Sequence, residues 1–424
     1  MAVSNSRRIF INAGRIAHFS IGDIRKPLVG TQMSAEEQIH AAGMGFVIEG
    51  EIFVKIAHTE EIIAEYGRDA EMQDLHGHAI VPGYIDAHTH LLWAGDRTRE
   101  VRMRQNGMTY PQIADAGGGI RYTVGETRKC NNLYEIGRAR LSTALDHGTT
   151  VLEAKSGYGL DTASEQLLLD TTNRLSKYDT AYPDGMLIES TWMGAHDIPN
   201  DMKRADYVEH LISEQLPHMV EKSHPTSADV FCEPGWFTLE DTEDICKAAM
   251  EAGLKIRLHV DEFADGDGLQ LAAELGATTA DHAIHSSDSA RAAASSAGVL
   301  QGFLPGTPYV LGSDKWPPIE KCIDEEWAWT LASDFNPNYP SLSIPMVGSI
   351  AMHRMGIDPI ASLAAVTRNP ATGICVDSPN PIGVIMEGAM ANFNELDSEH
   401  IESWCSSPGQ SGICSTWAGG LKKR

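Results

Sequence analysis

Two histidines separated by one residue follow a short strand-like run near position 85. Pro82 and Gly83 form a turn before that run, and His88 and His90 end it. Because successive side chains of a β-strand point to opposite faces, these two imidazoles project from the same face. Neutral imidazoles held side by side can share one metal ion. A lone His-x-His pair is more often structural, so the interpretation requires further ligands elsewhere in the chain.

Further residues of ligand type lie at the ends of later strand-like runs. In a β/α barrel the reactive groups lie at the carboxyl ends of the strands. Three imidazoles and one carboxylate suit Zn²⁺ or Fe²⁺, with a water completing the shell, and the metal lowers the pKa of that water towards about 7. His259 could instead be a satisfied core histidine, and Asp334 a turn or cap residue. We expect one divalent ion per subunit, zinc or iron, bound by His88, His90, His259 and Asp334.

Two more polar residues near these ligands are candidates for proton transfer. Glu262 lies three residues after His259 and is the best candidate for a general base and proton shuttle. His282 could orient the water or stabilise charge on the attacked carbonyl. The alternatives are a solvated loop acid for Glu262 and a buried structural histidine bonded to Asp281 or backbone for His282. The predicted catalytic residues are Glu262, His282 and the ligand Asp334.

A cationic run stands out in this acidic chain. It contains Arg97, Arg99, Arg102 and Arg104. A guanidinium binds a carboxylate through two parallel hydrogen bonds, so we expect an anionic substrate tail near Arg97. For Arg102 or Arg104 the better interpretation is a solvated helix face. Tyr110, Tyr158 and His196 are candidate helpers in substrate binding.

Composition limits the classes of partner. The chain has 424 residues, a net charge of −25 and 42% hydrophobic residues, values typical of a large acidic enzyme. Such a charge disfavours nucleic acid and anionic membranes as partners. There is no apolar run of membrane-span length and no signal-peptide pattern. The seven scattered cysteines lack Cys-x-x-Cys spacing, which predicts reduced thiols in a cytoplasmic protein.

The centre of the chain alternates between strand-like and helix-like segments. Eight strand–helix units of this kind predict a closed, TIM-type (β/α)8 barrel. The predicted strands are residues 84–90, 149–154, 189–196, 228–233, 255–261, 279–284, 299–304 and 327–334. The predicted helices are residues 132–147, 163–175, 201–214, 239–252, 268–275 and 287–296. The long interval 91–131 is expected to cover the barrel mouth.

Both ends of the chain are rich in short strand-like runs. Termini often lie close together, so the two ends are expected to form one small β-sandwich domain. The predicted division is an N-terminal part of that domain at 1–80, the catalytic barrel at 81–365, and a C-terminal part with helix and strands at 366–424.

Several motifs resemble those of one family. Residues 82–90 (PGYIDAHTH) resemble the opening strand of the amidohydrolase superfamily. Nine further stretches, in family order over residues 81–370, resemble the imidazolonepropionases specifically. They are HLLWAGDR at 90–97, AGGGI at 116–120, KSGYGL at 155–160, GAH at 194–196, DVFCE at 229–233, LHVDE at 258–262, ADH at 280–282, LPG at 304–306 and SDFNP at 333–337.

The resemblance implies an activity and a site. It implies hydrolysis of 4-imidazolone-5-propanoate to N-formimidoyl-L-glutamate in histidine degradation, and a homodimer. It places one zinc or iron on the four ligands named above and catalytic assistance on Glu262 and His282. It adds Asn336 to the substrate contacts, which become Arg97, Tyr110, Tyr158, His196 and Asn336. The corresponding strand end lacks the carbamylated lysine of two-metal members, which fits a single metal.

The chain departs from the family pattern in three places. DIPN follows His196 where the family more often has Ala-Val-Pro, and NYP follows Pro337 in place of Gly-Thr or Gly-Ser. Both departures border the expected pocket and bear on the identity of the substrate. The third, GAMANF at 388–393, lies in the β-rich part, away from the chemistry.

Two other functions compete with this one. The first is a related amidohydrolase that acts on another carboxylate-bearing cyclic amide or deaminates a heterocycle. The second is a binding or sensor protein on a decayed barrel, which predicts missing ligands or a missing Glu262. All those positions are occupied, so the binding protein ranks lowest.

Overall fold

The structure is a computed structural model that describes residues 7–67, 72–109, 112–113, 116–176 and 186–424. Eight parallel strands form one sheet in chain order, so each strand pairs with the next. We number them barrel strands 1 to 8. They are Tyr84–Asp86, Thr149–Lys155, Leu187–Ala195, Ser227–Cys232, Lys255–Val260, Thr279–His282, Leu300–Phe303 and Trp329–Leu331. All eight predicted strands are thus confirmed, most of them with shorter bounds.

Contacts between the segments that follow strands 1 and 8 close the barrel. Thr89 and Phe335 form a parallel bridge, and the His90 amide donates to the Phe335 carbonyl over 2.9 Å. The buried Asp86 carboxylate accepts hydrogen bonds from the backbone amide and the hydroxyl of Ser333 (2.9 and 2.5 Å). These contacts hold the His-x-His segment against the segment that carries Asp334.

Amphipathic helices surround the barrel, with buried apolar faces against the strands. Asp161 and Thr238 cap two of them by accepting a backbone amide, the second in a capping box. The helices are Leu133–Asp146, Thr162–Leu175, Arg204–His210, Leu216–Lys222, Leu239–Glu251, Gly268–Leu275, Asp288–Ala297, Gly306–Leu311, Ile319–Asp324, Ile344–Met355 and Pro359–Ala364. Helices Arg99–Gln105 and Gly119–Lys129 lie in the long interval after strand 1.

The predicted helix 201–214 differs most from the structure. It starts later, at Arg204, and continues to Lys222 through a π-helical turn at Leu211–Gln215. Pro217 lies in the first turn after this widened segment. Proline lacks the N–H that a continuous α-helix requires, so the wider turn accommodates it.

Two sheets outside the barrel face each other across an aromatic core. The four-stranded sheet contains, in spatial order, Ile52–His58, Met44–Glu49, Arg7–Ala13 and Met72–Asp74. The six-stranded sheet contains Leu421–Lys422, Ile413–Ala418, Phe393–Leu396, Ile80–Pro82, Ile16–Ala17 and Ile39–His40. Phe10 and Phe46 of the first sheet contact Phe393 of the second (ring centroids 5.4 and 5.1 Å).

This arrangement confirms a β-sandwich built from both ends of the chain, because the six-stranded sheet contains strands from both. The domain limits at 80 and 365 stay a prediction. The other helices are Thr59–Tyr66 and Ser403–Ser406, with 3-10 turns at Gly30–Ser34, Glu36–Gln38 and Pro370–Thr372. Over the part of the chain that the structure describes, no helix has both the length and the apolar composition needed to cross a membrane.

Candidate active site

The predicted metal ligands converge at the carboxyl end of the barrel. His88 and His90 follow strand 1, His259 lies in strand 5, and Asp334 follows strand 8. The His88 ring centroid is 4.4 Å from that of His259 and 5.7 Å from that of His90. The Asp334 carboxylate lies 3.6 Å from His88 Nε2 and 3.8 Å from His90 Nε2. All four residues are buried.

Carboxylates of two other barrel strands orient two of these imidazoles. Asp281 accepts from His88 Nδ1 at 2.6 Å, and Asp229 accepts from His259 Nδ1 at 2.9 Å. Each histidine is left with a buried Nε2 that lacks a hydrogen-bond partner among the described residues. Burial lowers the pKa of His88 and His90, which favours the neutral form that binds metals. An unpaired nitrogen on an oriented, neutral imidazole is the donor that a zinc or iron ion requires, so these residues fit a metal.

Among the described residues, two triplets of side chains are close enough to hold an ion, and both include His88. One contains His88, His90 and Asp334, and the other His88, His259 and His282. The four predicted ligands are divided between these two triplets. His282, which was predicted to be catalytic, is the additional member. The backbone is left-handed at His282 (φ 67°) and Asp334 (φ 52°), a costly conformation for residues other than glycine. Such strain concentrates at functional sites.

The predicted proton-transfer residues lie beside each other. Glu262 Oε2 is 3.6 Å from His282 Nε2, and the Glu262 side chain is about 10% exposed. Burial, with Asp334 and Glu233 nearby, raises the pKa of Glu262 well above its ordinary value. Glu233 accepts hydrogen bonds from the backbone amides of Glu262 and Phe263, which holds this loop in place. A raised pKa means that the Glu262 carboxyl holds a proton more readily than an ordinary glutamate, which suits a group that takes up and passes on a proton beside a metal site.

A cleft of about 480 Å³ opens above these groups. It contains most of the predicted site residues, while His88 lies deeper. Its walls are His90, Arg97, Ile120, Tyr158, His196, Phe231, Trp236, His259, Glu262, Phe263, His282, Asp334, Asn336 and Asn338. Ile120 places the helix Gly119–Lys129 at the mouth, as the long interval predicts.

Arg97 lies in the cleft with its guanidinium held by Glu100. Nε and Nη2 of Arg97 donate to the two Glu100 oxygens over 2.9 and 2.8 Å, and both residues are buried. Arg104 lies 4.0 Å from the same carboxylate and donates to Asn338 over 3.3 Å. The interpretation of Arg104 as part of a solvated helix face is wrong, since its side chain is only 20% exposed. Arg102 is exposed, as expected.

Three other predicted substrate contacts, Tyr158, His196 and Asn336, also line the cleft. His196 stacks on His90 (4.9 Å) and packs against Tyr158 (5.0 Å). Its Nδ1 lies 2.8 Å from the Gly157 carbonyl, and burial lowers its pKa to about 3, so it is neutral. Asn336 lines the cleft, but its side chain also closes the rim turn by donating to the Asp334 carbonyl. Tyr110 lies outside the described residues.

Sequence reasoning missed the partners of the ligands and one wall of the cleft. Asp229, Asp281 and Thr307, which donates to Asp334 Oδ2 over 2.5 Å, hold the ligands. Asp229 and Asp281 lie within strands 4 and 6, and a carboxylate inside a buried strand is a pattern from which these partners could have been predicted. Trp236 lines the cleft with Phe231 and Phe263. Those aromatic residues carry no sequence signal that separates a pocket wall from a core.

Comparison with known proteins gives the family. An imidazolonepropionase of Solibacter usitatus is 40% identical over 338 residues, which cover 78% of this chain and 79% of that protein. The chain belongs to the imidazolonepropionase family. Another imidazolonepropionase, from Streptococcus gordonii, is 33% identical over 389 residues, covering 91% of this chain and 90% of that protein. No protein-family model matches the chain.

Solved structures show the fold of this imidazolonepropionase-family chain. A. niger ochratoxinase matches with a TM-score of 0.65 and 16% identity, covering 98% of this chain and 95% of that one. E. coli guanine deaminase matches with a TM-score of 0.68 and 13% identity, covering 98% of each chain. At such low identity, the likeness extends to the barrel and its accompanying sheets and not to a substrate.

Proposed function

We propose that this chain hydrolyses 4-imidazolone-5-propanoate to N-formimidoyl-L-glutamate, a step of histidine degradation. Family membership supports the reaction class, hydrolysis of a carbon–nitrogen bond in a ring. The observation that carries the proposal is the buried Nε2 of His88, oriented by Asp281 and only 3.6 Å from the Asp334 carboxylate, at the base of the cleft.

One divalent ion, zinc or iron, is proposed at His88, His90, His259 and Asp334. When bound, such an ion polarises a carbonyl and lowers the pKa of a coordinated water. The donor set of imidazole and carboxylate suits either metal, which leaves their choice to metal analysis.

Glu262 and His282 are proposed to move protons and stabilise charge. As water adds to the ring carbonyl, Glu262 accepts its proton and delivers that proton to the departing ring nitrogen. The bond between the carbonyl carbon and that nitrogen breaks, and the new oxygen remains in the product carboxylate. His282, 3.6 Å from Glu262, is proposed to donate a hydrogen bond to the carbonyl oxygen as negative charge develops there.

Arg97 is proposed to bind the propanoate carboxylate. Arg97 lines the cleft, and its guanidinium and that of Arg104 both contact the Glu100 carboxylate. A guanidinium in the cleft favours an anionic ligand, with Tyr158, His196 and Asn336 as further proposed contacts around the ring.

Incubation with the proposed substrate tests this function. Protein loaded with Zn²⁺ or Fe²⁺ should remove the ring absorbance of 4-imidazolone-5-propanoate and yield N-formimidoyl-L-glutamate without releasing ammonia. Unchanged absorbance with metal-loaded protein would refute the proposal. Ammonia release without ring opening would favour a deaminase instead.

A cytoplasmic location and a homodimer are also proposed. All seven cysteines lie within the described residues and are unpaired, as expected of a reducing compartment. The dimer rests on the family resemblance alone, and sedimentation or light scattering would test it.

A further inference from the structure

A buried lysine next to the candidate metal site has no role in the mechanism above. Lys155 is the last residue of barrel strand 2, and its side chain is completely buried. Its ammonium lies 2.7 Å from Asp229 Oδ2 and 3.1 Å from Glu153 Oε1, both also fully buried. Burial alone would lower the pKa of Lys155, but the two carboxylates outweigh burial and raise it. The group is therefore a fixed positive charge.

One of these carboxylates leads directly to a proposed metal ligand. Asp229 contacts Lys155 through Oδ2 and accepts from His259 Nδ1 through Oδ1, at 2.9 Å. A carboxylate that accepts from a ligating histidine fixes the tautomer and the direction of the ring, and such partners typically change metal affinity by about 10- to 100-fold. Lys155 fixes the other oxygen of that carboxylate and so limits its rotation.

The second carboxylate leads to the other side of the site. Glu153 Oε2 accepts from the backbone amide of Thr89 at 3.3 Å, and the Glu153 carbonyl accepts from the Thr89 hydroxyl at 2.7 Å. Thr89 separates the two histidines of the His-x-His pair, and its carbonyl accepts from the Lys155 amide at 2.9 Å. The orientation of that pair therefore depends on the same ammonium.

We propose that the Lys155 ammonium is a positioning residue for the metal centre and acts through one carboxylate on each side. The inference rests on the proposed metal ligands. It also assigns the amine a state: Lys155 is an ammonium rather than a carbamate, since a carbamate would place a third negative charge between two buried carboxylates. The trio has a net charge of −1, which favours a cation at the adjoining imidazoles.

Metal affinity measured by chelator competition tests the inference. Lys155→Met should weaken Zn²⁺ binding by about 10-fold or more, while far-UV circular dichroism of the metal-free protein stays unchanged. Lys255→Met is the matched control. Lys255 begins strand 5 at the opposite end of the barrel, and its ammonium lies 3.2 Å from the carboxylate of the exposed Asp377. The control should bind Zn²⁺ as the wild type does. Wild-type affinity in Lys155→Met would overturn the inference.

Asp229→Asn keeps the inference testable if Lys155→Met fails to fold, and a double-mutant cycle extends the test if it folds. Asp229→Asn keeps the shape of the carboxylate and should itself weaken Zn²⁺ binding by at least about 10-fold in a folded barrel. Because Lys155 acts through Asp229 on one side and Glu153 on the other, the double variant should lose less affinity than the sum of the two single losses. Wild-type affinity in Asp229→Asn, or fully additive losses, would contradict the inference. Should His259→Ala lose Zn²⁺ while the Lys155 and Asp229 variants keep it, this inference fails and the proposed metal site survives.

Discussion

Two imidazoles at the barrel mouth, those of His88 and His259, have the same arrangement of hydrogen-bond partners. In His88 and His259 a buried carboxylate holds Nδ1, and the buried Nε2 has no hydrogen-bond partner within the ranges that the structure describes. A buried polar atom without a hydrogen-bond partner costs roughly 1–3 kcal/mol of stability. The ring centroids of His88 and His259 lie 4.4 Å apart, so one bound ligand would offset this cost for both nitrogens. A single cation bound there would satisfy both nitrogens.

Removing the carboxylate of Glu262 should lower kcat and leave the metal content unchanged. Glu262→Gln keeps the size of the side chain but cannot take a proton, so kcat should fall by about 10²- to 10⁴-fold. Steady-state kinetics with 4-imidazolone-5-propanoate and metal analysis of the same sample measure both effects. Glu274→Gln, on the exposed side of the next helix, should match the wild type. A kcat within twofold of wild type in Glu262→Gln would exclude the proposed role.

Removing the guanidinium of Arg97 should weaken substrate binding. Arg97→Met alone removes two hydrogen bonds from the buried Glu100 carboxylate, so the cleaner variant combines it with Glu100→Gln, which can still accept from the Gly119 amide. Loss of a charged hydrogen bond of about 1.5–3 kcal/mol should raise KM by roughly 10- to 100-fold. Arg102→Met, an exposed neighbour, serves as the control. An unchanged KM in the double variant would place the substrate carboxylate elsewhere.

At the level of residues, sequence could propose the ligands but not their partners. Strand alternation shows which face His259 occupies, and it does not reveal that Asp229, on the neighbouring strand, is the residue that meets Nδ1. The same holds for Thr307 and Asp334, which are brought together by the barrel ends. Roles at all the site residues stay predictions, with Tyr110 outside the described part of the chain.

Among the elements, the strands were predicted best and their ends worst. All eight barrel strands follow from buried apolar runs alternating with amphipathic helices. The predicted strands 84–90 and 327–334 end early in the structure, at Asp86 and Leu331. The residues that follow leave the β-ladder, and some of their side chains point into the candidate site. The left-handed backbone of Asp334 is one such departure. Local propensity does not encode a rim that is set by closure of the whole sheet.

The edge of the six-stranded sheet should respond to acid. His18, just after the strand Ile16–Ala17, is buried and stacks on His40 with ring centroids 4.2 Å apart. Burial, helped by His40, lowers the pKa of His18 from 6.5 to about 4. The unfolded chain therefore binds this proton first, so the stability contributed by neutral His18 is complete above pH 6.5 and is lost as pH falls towards 4.

Replacing His18 tests this sign. His18→Gln should reduce the loss of stability between pH 6.5 and 4 by at most about 3 kcal/mol, measured by urea denaturation across that range. His76→Gln, an exposed histidine of the same domain, should leave the pH dependence as in the wild type. A His18→Gln profile parallel to the wild type would contradict the assignment.

On the scale of the whole molecule, the two ends of the chain are joined by one aromatic core. Phe10, Phe46 and Phe53 come from the N-terminal segment, and Phe393 and Trp417 come from the C-terminal one. The barrel lies between these segments in sequence. Sequence could predict that both ends are rich in strands, but the order of strands in each sheet depends on long-range pairing, which local patterns do not specify.

Opening this core should destabilise the protein. Phe393 is fully buried and stacks on Trp417 at 5.6 Å, so Phe393→Ala should lower the free energy of unfolding by about 3–5 kcal/mol. Chemical denaturation measures the change, and Leu421→Ala, 43% exposed in the same sheet, should cost less than about 1 kcal/mol. Equal effects from the two variants would show that the aromatic core does not stabilise the protein as described.

Anomalous diffraction from crystals of Zn²⁺-loaded protein would show whether residues of three barrel strands bind one cation. We expect one strong peak per subunit, about 2.0–2.2 Å from a nitrogen of His88, His90 and His259 and from an oxygen of Asp334. A peak bound elsewhere, or no peak at these side chains, would contradict the account.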